Sequence, residues 1–374
     1  MRRVGLATSL LCAGPGLALG QPASDSVRVK VHPERPLIER SACCQLLNFD
    51  LELTSPGADT LTISRIDVSV LNQAGKLVAQ RHVSGNGMIP SIATLPNRRL
   101  VPGRATTVYN PFYSFDLTTP IHEMRLTITL GARNRTVQSR VVVRPTAYQG
   151  KTDLIFPLAG RILVLDGHDF YSHHRRLDMS VLAAMGLARR QFNRYAYDFS
   201  LVDEQDRLSR TGGRTNEDWI GYGATVFAPG DGIVRDAVND AREHILPNDQ
   251  WDDEAGLRNP RSIPGNFVVI DHENGEVSFL AHLKQGSVTV KRGDRVRQGQ
   301  VIGLMGLSGD SDETPHIHYQ LMDSADFSDA EGLPSYFSGF VRAGRPGRTI
   351  EKRGQVDTGD ILEVATRPGQ GGTQ

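Results

Sequence analysis

Between Ser26 and about Arg144 the sequence breaks into short runs rich in β-branched and apolar residues, separated by turn clusters, and this spacing leaves few folds open. The runs fall at 27–31, 46–53, 61–70, 76–82, 105–109, 124–130 and 137–143. Seven such runs predict a β-sandwich. In the clearest, Leu126, Ile128 and Leu130 alternate with Arg125, Thr127 and Thr129, the period of two required of a half-buried strand. The count of 38 Gly against 13 Phe, 9 Tyr and 2 Trp suits the same turn-rich, mainly β class.

A length of 374 residues predicts two domains. Arg144-Pro145 to about Phe156-Pro157 reads as the linker. The expected organisation is therefore a β-sandwich over 26–145, a second domain over 157–345 and a tail over 346–374, with the Gly-rich end from Thr366 to Gln374 expected to be disordered. In the second domain one stretch, 177–192, spaces Leu177, Val181, Leu182, Met185, Leu187 and Phe192 for one helical face. The rest again reads as strands and turns, so the fold class is mainly β with one inserted helix.

The first residues read as an export signal: Arg2 and Arg3, an apolar stretch from Leu6 to Leu19, and Ala18-Leu19-Gly20 as a small-x-small cleavage site. Residues 1–20 are expected to be removed before Gln21, which places the mature chain in the periplasm or outside the cell. The stretch is short for a membrane anchor and is broken by Gly14-Pro15-Gly16, and no later run approaches a spanning length. Cys43 and Cys44 are then the mature cysteines. Being adjacent, they can form a vicinal disulfide, pair between chains, or pack as small hydrophobes, and burial of at least one is the preferred expectation. Lys plus Arg equals Asp plus Glu at 42 each, so the chain has no bulk field for nucleic acid, and no basic patch with interleaved aromatics supports such a partner.

Chemistry concentrates near Thr314-Pro-His316-Ile-His318-Tyr-Gln-Leu321. Residues two apart on a strand share a face, so both imidazoles can reach one small centre, as a metal ligand beside a general base would. An isolated His-x-His is as readily a solvent-facing pair. Context adds Val277-Ser-Phe-Leu-Ala-His282-Leu, also strand-like, and the Gly293-Asp294 and Gly299-Gln300 turns of a small β-core.

Here the chain resembles the lysostaphin/LytM-type zinc metallopeptidases, the peptidoglycan endopeptidases. The resemblance covers about Ile220 to Met322 and reaches more weakly back to about Gly167. It is carried by Gly223-Ala-Thr-Val-Phe-Ala-Pro-Gly-Asp-Gly-Ile-Val234, Gly265-Asn-Phe-Val-Val-Ile-Asp-His272, Phe279-Leu-Ala-His282-Leu, Gly293-Asp294 through Gln300-Val-Ile-Gly303, and Pro315-His316-Ile-His318, in the family's order. It implies a lysostaphin-type β-core peptidase domain with a zinc ion held by a His, an Asp and the second His of His-x-His. The last ligand maps to His318, the general base to His316, and the other active-site histidine to His282.

The Asp ligand maps to Asp198 in Asn193-Arg-Tyr-Ala-Tyr-Asp198-Phe. The family commonly places its first His four residues before this Asp, and here that position is Arg194, which does not ligate zinc. His173 and His174 are the nearest candidates, as though an insertion had opened the motif, and His174 is preferred. His174-Arg-Arg-Leu-Asp178 carries the spacing itself, so Asp178 competes with Asp198, although an Asp opening a helical pattern is also an ordinary first-turn residue. His168, His244 and His272 read as surface or loop residues.

Two imidazoles and one carboxylate leave a fourth position of a tetrahedral zinc open to water. The resemblance therefore implies hydrolysis of a peptide cross-link of peptidoglycan. The altered His-to-Asp spacing favours a second reading, a degenerate domain of the same fold that binds wall peptides or activates another hydrolase. A lipoyl- or biotinyl-carrier core shares the Gly-Asp and Gly-Gln turns, but Lys284 and Lys291 lack the setting of a modifiable lysine. The sandwich carries no catalytic constellation and reads as a spacer.

Overall fold

The computed structural model describes residues 27–132, 135–246, 249, 251–311, 314–343 and 350–365. The stretch read as an export signal and the Gly-rich end lie outside the described residues. No helix among the described residues is long and apolar enough to cross a membrane.

The alternation seen in the sequence is what builds the first core. Glu123–Ala132 pairs antiparallel with Arg135–Val143 on one side and Leu61–Leu71 on the other, and Leu77–Ser84 extends the sheet. Leu126, Ile128 and Leu130 are buried there with Ile63, Ile66 and Val68. They share one core with Leu51 and Leu53 of Asp50–Thr54, which lies between Arg28–His32 and Ala105–Tyr109 in a second sheet. The expected strand at 46–53 is two strands, Cys44–Leu47 and Asp50–Thr54, in different sheets. The chain breaks at Asn48-Phe49 because these residues bond to the second half of the molecule, Asn48 Oδ1 and Phe49 O both accepting from Arg175.

Cys43 and Cys44 are bonded to each other, which corrects the preference for packed thiols. They lie in the turn between Leu37–Arg40 and Cys44–Leu47, where Cys43 is exposed and Cys44 half-buried, so the turn offers no apolar interior to either.

The stretch read as linker is docked. Thr146–Ala147 pairs with Leu37–Arg40, and Leu154–Ile155 pairs with Phe337–Ser338. Between them the buried Glu276 carboxylate accepts from the Tyr148 hydroxyl at 2.5 Å and from the backbone N–H groups of Lys151 at 2.8 Å and Thr152 at 2.7 Å.

The second core is organised by one large antiparallel sheet. Its order is Arg295–Val296, Gly232–Val238, Asn266–Asp271, Val277–Leu283, Ile317–Met322, Tyr197–Leu201, Gly160–Asp166, Ile361–Val364 and Phe340–Arg342. Thus Ile361–Val364, in the stretch expected to be tail, is an inner strand, with Leu362 fully buried. One face packs Ile162, Val164, Tyr197, Phe199, Leu280, Ile317, Tyr319 and Leu321 into the main core. The other carries Val277, Phe279, Ala281 and Met322, and with them the site.

The helix expected over 177–192 is shorter, Met179–Ala184. Asp178 caps it by accepting from Ser180 N at 3.0 Å, and Gly186, at φ +71°, turns the chain away just beyond its end. None of its residues is buried, so the apolar stripe finds no partner surface and cannot extend the helix by packing.

Candidate active site

Sheet register assembles the first part of the site. Asp198 lies directly opposite His318, and His318 lies opposite Ala281 on its other side. On Ile317–Met322 the odd positions face the main core, so His316 and His318 share the opposite face, as the spacing of two requires. His318 Nδ1 is 3.1 Å from Asp198 Oδ1, and His316 Nε2 is 3.5 Å from the same oxygen.

Two breaks in alternation complete it. By its parity with Leu280, His282 belongs on the main-core face. Its backbone adopts φ +63°, a conformation that side chains other than glycine rarely take, and the strand turns over at that residue. Leu283 accordingly packs into the main core, while the His282 ring comes to 4.8 Å from that of His316 and 6.0 Å from that of His318, centroid to centroid. The second break is at Asp166. Val164 pairs with Phe199 but Asp166 with Asp198, so one extra residue is accommodated and Asp166 moves to the site face.

The loop after Asp166 brings in His173 and His174. His174 Nε2 lies 3.4 Å from Asp198 Oδ2, and its ring stands 4.9 Å from that of His318. His173 is exposed; its Nδ1 is 2.5 Å from Asp166 Oδ2 and its Nε2 is 4.0 Å from Asp198 Oδ2. One ligand atom from each of Asp166, His173, His174 and Asp198 falls within 4.8 Å of the others. His318 joins this group through Asp198. The structure therefore brings together His174, Asp198, His282, His316 and His318, while Asp178 serves as a helix cap.

Asp166 was missed in the sequence because alternation along 162–166 assigns it to the core. The three histidines read as surface or loop residues are instead buried, His272 bonded through both ring nitrogens and His168 and His244 through Nε2 alone. His168 Nε2 meets Glu39 Oε2 at 2.8 Å, His244 Nε2 meets Gly309 O at 2.8 Å, and His272 bonds Asp231 O at 2.7 Å and Ser278 Oγ at 2.8 Å.

The ring orientations at the site decide what it can hold. His174 Nδ1 donates to Gly167 O at 3.0 Å, which leaves the Nε2 lone pair aimed at Asp198. His318 Nε2 meets Gln320 Oε1 at 2.9 Å, which leaves Nδ1 facing the same carboxylate. With both rings in their neutral forms, two lone pairs aim at one anion, an arrangement that a cation between them would relieve. Zinc bonds of about 2.0–2.1 Å at tetrahedral angles would set donor atoms roughly 3.4 Å apart, close to the separations found. The donor set therefore fits a zinc ion, and the carbonyl oxygens behind the rings are the outer partners that fix imidazole ligands.

Electrostatics agree. Burial pulls the His174 imidazole below the usual histidine range, and burial with the neighbouring His316 and His318 rings pulls His282 well below it, so both rings stay neutral near pH 7. Burial opposes ionisation of Asp198, but positive charge carried on the facing His174 and His316 rings outweighs it and holds the carboxyl well below the usual range; when those rings are neutral, a cation seated among them would have to supply that charge. His316 Nδ1 donates to Thr314 O at 2.8 Å and His282 Nδ1 to Ser308 O at 2.9 Å, so each keeps a basic Nε2.

Comparison with known proteins places these residues in context. The Vibrio cholerae serotype O1 peptidoglycan DD-endopeptidases ShyA and ShyC are similar over 58 residues, at 43% and 41% identity, a segment that is 16% of this chain and 13% of either relative. The solved catalytic domain of lysostaphin from Staphylococcus simulans is similar at 23% identity with a TM-score of 0.23, covering 39% of this chain and 81% of that one. A structure described as a glycyl-glycine endopeptidase lytM from Ruminococcus gnavus gives 17% identity and a TM-score of 0.28, covering 49% of this chain and 57% of that one. Residues 219–330, which include His282, His316 and His318 and stop short of His174 and Asp198, match Peptidase family M23.

Proposed function

We propose that the chain is an exported zinc metallo-endopeptidase that hydrolyses peptide cross-links of peptidoglycan, acting in the periplasm or outside the cell. The observation that carries this reading is the convergence of two oriented imidazole rings on Asp198, with His282 and His316 beside them. His174, Asp198 and His318 would hold the ion. When bound, zinc supplies a Lewis acid that polarises a scissile carbonyl and lowers the pKa of water.

The remaining work falls to the chain. His316 Nε2 accepts the proton of the attacking water and returns it to the leaving amine, its ring fixed by the Nδ1–H bond to Thr314 O. His282 Nε2, on the ring beside it, holds or shares that proton as charge develops, and its strained backbone fixes that position. Burial of both rings strengthens these interactions.

Chelation is expected to abolish hydrolysis of purified peptidoglycan by the mature chain, and zinc to restore it. His318→Ala should lose bound zinc, whereas His316→Ala should keep it and lose turnover. Equal zinc retention in both variants would refute this division of ligand from base. Stoichiometric zinc without turnover on any cross-linked wall would favour the binding or activating role instead.

A further inference from the structure

The loop over 167–177 that brings His174 to Asp198 has little regular structure of its own beyond the 3-10 turn His174–Arg176. It is held from outside, by the amino-terminal sandwich. Asn48 Nδ2 donates to His168 O at 3.2 Å and the Tyr109 hydroxyl to Arg176 O at 2.7 Å. Arg175, next to His174, is fully buried and gives all its donor atoms to that sandwich: Nη1 to Asp50 Oδ1 at 2.6 Å, Nε to Asn48 Oδ1 at 3.0 Å, and Nη2 to Phe49 O at 2.8 Å.

The other oxygen of Asp50 reaches the other half of the site. Arg194, also fully buried and four residues ahead of Asp198, donates from Nη1 to Asp50 Oδ2 at 2.7 Å and from Nε to Glu331 Oε1 at 2.5 Å. One buried carboxylate on the edge of the sandwich thus ties the residue after His174 to the turn before Asp198. Between those two points the chain itself supplies one direct tie, the buried Gln191 Nε2 donating to His174 O at 3.1 Å, while its short helix has no buried residue.

We infer that Asp50 is a positioning residue for the metal centre, fixing the distance between His174 and Asp198 through Arg175 and Arg194, so that metal affinity depends on the amino-terminal sandwich. This rests on the reading of His174, Asp198 and His318 as ligands. It changes the expected role of the sandwich from spacer to part of the site's frame. Removing this carboxylate would leave Arg175 as an uncompensated buried charge and Arg194 with Glu331 as its remaining partner, so neither guanidinium could keep its present place.

The test measures zinc affinity of the full chain by competition with a chromogenic chelator, together with the visible spectrum of the cobalt(II)-loaded chain. Asp50→Asn should weaken zinc binding about tenfold or more, the size seen when an outer support of a ligand is removed, and should shift the cobalt bands. Glu276→Gln, which loosens the linker's attachment without touching the segment of His174, should leave both unchanged. Asp50→Asn with wild-type affinity overturns the inference, as does an equal weakening by Glu276→Gln. Should Asp50→Asn fail to fold, Tyr109→Phe removes a single hydroxyl contact to Arg176 O, and unchanged zinc affinity there also overturns it. A wild-type chain that takes up no zinc refutes the metal-centre reading itself.

Discussion

Asp166 stands across from Asp198 because the end of its strand accommodates one residue more than the partner strand does. The two carboxylates are not equivalent, however. Asp198 has the His174, His316 and His318 rings within 3.5 Å, whereas Asp166 accepts from Ser172 Oγ at 3.1 Å and Gly167 N at 3.0 Å and braces His173. Asp198→Ala is expected to leave the purified chain without stoichiometric zinc. Asp166→Ala should keep the ion with affinity lowered about tenfold, as for an outer support. Metal analysis after dialysis distinguishes them, and equal loss would make Asp166 a ligand in its own right.

His173 and His174 are neighbours in sequence with opposite surroundings, one exposed and one buried against Asp198. His174→Ala should abolish zinc uptake, while His173→Ala should retain it. Unfolding measurements give an independent reading. Zinc at a hundredfold excess over its Kd should add about 2.7 kcal/mol to the stability of wild type and of His173→Ala, and nothing to His174→Ala.

Gly265 adopts φ +61°, and a Cβ there would fall against the backbone of Ser308, whose carbonyl orients His282. Gly265→Ala should therefore cost about 1–3 kcal/mol, as overpacking does, and also displace that carbonyl. The expected result is a lowered denaturation midpoint together with a fall in kcat larger than any change in zinc content. Wild-type stability would show that the turn relaxes around the added methyl.

Glu276 offers a pH signature remote from the site. Burial raises its carboxyl pKa, but the bonds from Thr152, Tyr148 and Lys151 outweigh burial and hold it below the usual value of about 4.3. A depressed folded-state pKa contributes stability above the unfolded value, lost as pH falls through the folded one. Glu276→Gln should cost about 1–3 kcal/mol at pH 7, the usual size for hydrogen bonds to a charged group. That difference should shrink below about pH 4. Denaturant unfolding from pH 7 down to pH 3.5 tests this; a gap that stays constant would mean the carboxylate charge is immaterial.

What was legible in the sequence was whatever periodicity controls. Leu126, Ile128 and Leu130 announced their strand, and His-x-His announced a shared face, because alternation is set by the backbone. What was hidden depended on departures from it. The bulge before Asp166 and the positive φ of His282 each move a side chain across the sheet, and neither leaves a mark in residue type. The helical spacing at 177–192 misled for a related reason: a stripe of apolar residues predicts packing only where another surface is there to receive it, and Val181 and Met185 remain exposed. His168, His244 and His272 show that an imidazole is readily buried once at least one ring nitrogen finds a partner distant in sequence, which residue type alone does not reveal.

The position of Ile361–Val364 inside the large sheet bears on how the molecule is made. The strand that ends in Asp166 is paired on one side by Tyr197–Leu201 and on the other by this late segment. Until that segment has been synthesised, the strand bearing Asp166 keeps a row of unmatched amides and carbonyls, open to pairing with a foreign chain. Assembly of the candidate site is thereby tied to the arrival of a strand that follows all of its residues in sequence, and proteolytic trimming that removes the strand would reopen the same flank.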